Sequence, residues 1–388
     1  MRKLFLPGFF AALLVSLAGC STLDKLNPFS DTAPKIKPAE LVALTPSIEL
    51  RATWQVSIGS SEEYVFTPAV VGNSAYVAAR DGSLARFDDG RQMWRVSAGQ
   101  VVSGGVGSDG KLVVVGTPKG EVLAFDAASG KEIWRTRVSS EVLAAPAVGD
   151  GLVAVRSGDA RIFGFEAADG KRRWVYQRST PALSLRSHAG MVLAGRALLA
   201  GFPGGRLVAI STANGAALWE SAVALPKGAT ELERVADVTS NPVVAGREVC
   251  AVAYQGRAAC FDLSNGNQLW TREITSSAGL DMDAKAVYVS DDKGAVQAFE
   301  RSNGASLWKQ DKLFMRGLSR PLALGGALSK YVAVADNQGA VHLLRSEDGS
   351  FAARFISDGT AVLADLQLSK DGFVIQTQKG GIYALSAK

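Results

Sequence analysis

The sequence predicts an all-β chain, an eight-bladed β-propeller over residues 50–388 that is closed by its own N-terminal strand. Three observations carry this. The seven Trp stand at 54, 94, 134, 174, 219, 270 and 308, at intervals of 40, 40, 40, 45, 51 and 38. A period near 40 with about four short β-runs per unit is how propeller blades read. A turn residue also lies five positions before an apolar strand residue in eight units, from Gly82/Phe87 and Gly120/Phe125 through Ala160/Phe165 to Gly380/Leu385. Finally, the two ends complement each other. The eighth unit stops after its third strand at Lys388, while Arg51-Ala52-Thr53-Trp54-Gln55-Val56 is a fourth strand with no unit before it. Pairing the two completes the ring and removes the exposed edges of an open array.

Composition agrees. The chain is 47% hydrophobic and 20% charged, which excludes disorder. Its 41 Gly in 388 residues are an excess over the usual share and suggest many turns. Three Cys are too few for a disulfide scaffold. The net charge of +5 is scattered, with no basic run beyond Lys171-Arg172-Arg173, and argues against nucleic acid as a partner.

Taken in chain order, residues 1–19 read as a signal peptide, with Arg2 and Lys3 before an apolar run from Leu4 to Leu17. Leu17-Ala18-Gly19-Cys20 resembles the bacterial lipobox, which makes Cys20 the lipidated first residue of the mature chain. Ser21 after it, rather than Asp, implies the outer membrane by that resemblance. More than one acyl chain gives stable anchoring. Residues 20–49 carry Pro28, Pro34, Pro38 and Pro46 among polar residues and read as a flexible tether.

The second unit shows the blade pattern. Leu112-Val113-Val114-Val115 and Val122-Leu123-Ala124-Phe125 flank a Pro-Lys-Gly turn, and Ile133-Trp134-Arg135-Thr136 follows a second turn. Each Trp from 94 to 308 lies four residues after a Gly (90, 130, 170, 215, 266, 304), and Gly349 continues the series to Ala353. The Trp is expected to fill space between neighbouring blades.

The unit Ala124-Phe125-Asp126 to Gly130-Lys131 to Trp134 resembles the repeat of quinoprotein (PQQ-dependent) dehydrogenases. Fold alone does not imply their activity. Their sites need convergent carboxylates for Ca²⁺ and the quinone, and many stack a vicinal disulfide on the quinone. Here Cys250 and Cys260 are ten apart, and His188 and His342 lie in different blades without ligand spacing. We therefore expect no catalytic residues, metal or cofactor. A lipobox joined to an eight-unit propeller in so short a chain resembles the propeller lipoproteins of the outer-membrane β-barrel assembly (BAM) machine. That resemblance implies a scaffold, facing the periplasm, that docks on the POTRA domains of the barrel subunit BamA. Unfolded outer-membrane proteins would be possible further partners. The alternatives are a quinoprotein dehydrogenase, or a carbohydrate- or peptidoglycan-binding propeller.

The long Trp intervals point to a binding face. The loops from Tyr176 to Met191 and from Ser221 to Asn241 hold the extra residues and emerge on one side of the ring. Leu183-Ser184-Leu185-Arg186 sets apolar anchors beside an arginine, which suits a protein interface. Packing of both leucines onto the blade is the other reading. Asp237 is expected to pair with Arg186 or to meet a basic partner. By the same resemblance, Leu183, Leu185 and Arg186 fall on the family's Leu-x-Leu-Arg docking motif, and Asp237 matches its first acidic residue. The second acidic residue is Thr239 here. Cys250 and Cys260 flank the turn Tyr254-Gln255-Gly256-Arg257 with equal parity. They form either a cross-strand disulfide or two buried thiols.

Overall fold

A computed structural model of the chain describes residues 37–388. The expected signal peptide, Cys20 and most of the tether lie outside the described residues. Eight four-stranded antiparallel sheets follow one another in sequence. Blade 2 is typical, with strands Gly107–Ser108, Leu112–Gly116, Glu121–Asp126 and Glu132–Arg137. These contain the three runs expected of that unit.

The same four-strand plan repeats from blade 1 (69–97) to blade 7 (322–356). Blade 8 takes Gln367–Ser369, Gly372–Gln376 and Gly381–Ala387 from the C-terminus and Leu50–Ser57 from the N-terminal side. The closing pair is antiparallel, running from Leu50 opposite Ala387 to Ser57 opposite Gly381. The first strand of blade 1 also meets the first strand of blade 8. Closure by the N-terminal strand is thus as expected.

Burial explains the strand composition. The second and third strands of each blade are nearly continuous apolar runs, as in Leu112–Gly116, because neighbouring blades cover both of their faces. Fourth strands at the rim alternate with solvent, as in Arg91–Ser97. The core therefore lies between blades. Trp134 of blade 2, for instance, packs with Val153, Val155, Phe163 and Phe165 of blade 3.

The Gly–Trp register has a direct physical cause. Gly130 has φ +72°, and a Cβ there would sit 2.9 Å from Cδ2 of Trp94 in the preceding blade. Only a glycine both adopts that backbone and lets the indole lie flat on it. The Trp94 indole N–H then donates to the Ala127 carbonyl of the same turn at 3.0 Å. Each of the Trp from 94 to 308 makes the equivalent bond into the next blade, at 2.7–3.0 Å.

The stretch expected as tether is described only from residue 37, and the compact unit begins at Pro38 rather than at residue 50. The Ala39 N–H donates to the Phe314 carbonyl, and the Arg316 and Arg354 guanidinium groups donate to the Ala39 and Val42 carbonyls. Ser47 N–H bonds the Ala352 carbonyl, and Glu49 and Lys388 exchange backbone bonds. The tether's prolines prevent regular structure here, yet the segment still binds blades 7 and 8 through its backbone N–H and carbonyl groups.

Candidate functional site

Turns between second and third strands share one face of the ring with the blade-to-blade connections. Turns between first and second strands share the opposite face with those between third and fourth strands. Both long loops, 177–190 and 223–242, are blade-to-blade connections, so they stand side by side on the first face.

Asp237 organises them. It is 2% exposed. Its Oδ2 accepts the Leu185 N–H at 2.7 Å and its Oδ1 accepts the Gly204 N–H at 2.9 Å. Its own carbonyl accepts the Tyr254 N–H. The buried carboxylate therefore ties the Leu185 loop to the turn of blade 4, and the Asp237 carbonyl adds the turn of blade 5. Ionised acceptors make stronger bonds than neutral ones, and these replace the water that the charge has lost. The expectation that Asp237 pairs with Arg186 or faces a partner is corrected: both of its oxygens are committed to backbone amides beneath the surface. Thr239 is also buried, with its hydroxyl donating to the Ser277 carbonyl, so neither position presents charge to the outside.

Arg186 takes another partner. Its Nε and Nη2 bond Glu141, in the loop between blades 2 and 3, at 2.9 and 2.8 Å. Its guanidinium lies 5.7 Å from the centre of the Tyr64 ring, in the segment entering blade 1. The bidentate bond to Arg186 holds the Glu141 carboxyl below its ordinary range. The loop thus meets the segments that enter blades 1, 3 and 5 on this face. Beneath it lies a cavity of about 480 Å³ bordered by Leu143, Arg156, Asp159, Leu185 and Pro203.

Leu183 and Leu185 are 45% and 38% exposed. They do not pack down onto the blade, although the backbone that carries them is fixed. The Arg186 side chain remains more than half exposed beside them. Sequence reasoning missed Glu141 and Tyr64, which lie 45 and 122 positions from Arg186. It also missed Leu232, which is 70% exposed. Its turn is built as a reciprocal cap, with Glu233 accepting the Ala229 and Thr230 N–H groups and the Thr230 hydroxyl accepting the Glu233 N–H. The Thr-x-x-Glu pattern was the available signal.

The residues weighed for other chemistry are dispersed. His342 is buried in blade 7 with Nε2 3.3 Å from Asp336, whereas His188 is exposed at the end of the loop 177–190. Among the described residues no group of three or more His, Cys, Asp or Glu is placed to hold a metal ion. Cys250 and Cys260 face each other across the blade 5 hairpin, Cα atoms 4.1 Å apart, with their sulfurs in bonding contact.

Comparison with known proteins gives the family. The family model described as outer membrane protein assembly factor BamB matches residues 80–310. The chain belongs to the BamB family. The BamB of Bordetella pertussis is 44% identical, over 96% of this chain and 95% of the relative. That of Escherichia coli is 33% identical over essentially the whole of both. The crystal structure of BamB from Moraxella catarrhalis superimposes with a TM-score of 0.80 at 29% identity, covering 87% of this chain and all of that one. The quinohemoprotein alcohol dehydrogenase of Comamonas testosteroni reaches a TM-score of 0.68 at 13% identity, a likeness of fold alone.

Proposed function

We propose that this chain is a non-catalytic scaffold of the outer-membrane β-barrel assembly complex. It would be held to the outer membrane through lipidated Cys20 and dock on the periplasmic POTRA domains of BamA. Family membership supports the assembly role. The single observation that favours the docking site is the loop 183–186, which exposes two leucines and an arginine, its backbone fixed by Asp237 and the arginine side chain held by Glu141. Interfaces draw most of their energy from a few such anchors, and prior ordering lowers the entropic cost of binding.

The test is co-purification of the mature chain with BamA, alongside direct titration with its POTRA domains. Leu185→Glu puts a charge on the apolar patch and leaves the backbone bond to Asp237 in place. Arg186→Glu opposes Glu141 and removes the cation from the surface. Each is expected to weaken binding by about 2 kcal/mol or more, roughly thirty-fold, with an unchanged circular dichroism spectrum. Affinities within two-fold of wild type for both variants overturn the site assignment.

A further inference from the structure

Six of the seven Trp send the indole N–H to a carbonyl in the turn of the next blade. Trp54, at the seam where the ring closes, is the exception. Its indole lies against Gly90 as the others lie against theirs, with a Cβ on Gly90 falling 2.7 Å from Trp54 Cβ. Among the described residues, however, its N–H has no acceptor.

The cause is a deletion in the pattern. From Asp126 to Gly130 that turn holds five residues, and those of blades 3 to 7 match it. In blade 1 the strands are joined through Asp88-Asp89-Gly90, two residues fewer. Asp89 and Gly90 both have positive φ, +48° and +82°, which is a tight two-residue hairpin. Asp89 still donates its N–H to Asn73, as Ala127 does to Lys111, but no carbonyl reaches the indole.

A cavity of about 300 Å³ stands there instead, between blades 8 and 1. Its wall carries Trp54, Asn73, Asp89, Lys370, Asp371 and Ser386. Asp89 Oδ2 accepts from Asn73 at 3.1 Å, while its Oδ1 has no partner among the described residues. Lys370 and Asp371 are exposed at the mouth. The Trp54 indole is half-buried, and its N–H, with no protein acceptor, is left open to solvent or to a ligand at this cavity.

We propose that this seam cavity is a binding site for a neutral saccharide. A saccharide hydroxyl can accept from the Trp54 N–H, and the Asp89 and Asp371 carboxylates on the same wall can accept from further ligand hydroxyls. The cavity lies at the small end of ligand sites and suits one or two compact rings rather than an extended strand. It lies on the face opposite loops 177–190 and 223–242, so the site stands or falls independently of BamA docking.

The test uses the mature chain labelled with ¹⁵N at tryptophan. The Trp54 indole resonance is identified by its absence in Trp54→Phe. Titration with glucose, N-acetylglucosamine and cellobiose is expected to move that resonance while the other six stay. Insertion of Ala-Ala between Asp88 and Asp89 restores the turn length of the other blades, and the shift is expected to disappear in that variant. Three results overturn the proposal: no saccharide moves the Trp54 signal, the shift survives the insertion, or acetamide, which carries no hydroxyl, moves it equally.

Discussion

Asp237 shows how a single buried residue can shape the proposed docking surface from beneath it. Two backbone N–H groups from different loops depend on its carboxylate, and the Gly204 bond is fully buried. A buried donor left without an acceptor costs about 1–3 kcal/mol. Asp237→Ala is therefore expected to destabilise the propeller by about 2–4 kcal/mol and to weaken BamA binding by loosening Leu185. Asp237→Asn keeps one carbonyl acceptor and should fall between the two. Hydrogen exchange at the Leu185 and Gly204 amides checks this, because both should exchange faster in the order wild type, Asn, Ala. Unchanged protection in the Ala variant would refute the anchoring role. That burial is not legible in sequence: an aspartate in a long polar loop looks the same whether its carboxylate points out to a partner or down onto amides 33 and 52 positions away.

Hairpins and turns were far more legible, because their determinants are local. The Gly–Trp contact repeats at one offset from each turn, so the same two residues recur wherever a blade meets the next. The cysteine hairpin is local in the same way. Residues 250 and 260 have equal parity about a tight turn, and they fall opposite each other in the strands Glu248–Val252 and Arg257–Asp262. Both are fully buried, so reagents reach them only after unfolding. In the mature chain, alkylation in denaturant without reductant is expected to leave the intact mass unchanged, and prior reduction to allow two additions. Two additions without reductant would establish a pair of free thiols. By contrast, the Arg186–Glu141–Tyr64 group joins three blade connections, and nothing in the spacing of one repeat specifies which loops lean together.

At the scale of the ring, seven blade junctions carry a Trp against a Gly, and the junction of blades 7 and 8 does not. Ala353 stands where the Trp would be, and the gap is filled by a cluster that includes Leu50, Phe373, Tyr383 and Leu385. The blade that closes the ring thus lacks the repeated clasp on its blade 7 side, and two further devices bear on that blade. One is the strand Leu50–Ser57, which covers the edge of Gly381–Ala387. The other is the segment 38–49, whose carbonyls are held by Arg316 and Arg354 and whose end bonds Lys388. They should contribute unequally. Deleting 38–49 removes surface hydrogen bonds worth roughly 0.5–1.5 kcal/mol each and is expected to give a monomer that unfolds a few degrees lower. Extending the deletion through Ser57 also strips the fourth strand from blade 8, exposes an apolar edge and removes Trp54 from Gly90. An uncovered edge strand pairs with other chains, so this variant is expected to elute as oligomers and to lose cooperative unfolding. Size-exclusion chromatography with thermal melts separates the two outcomes, and a stable monomer lacking 38–57 would show that the other seven junctions hold the ring without its closing strand.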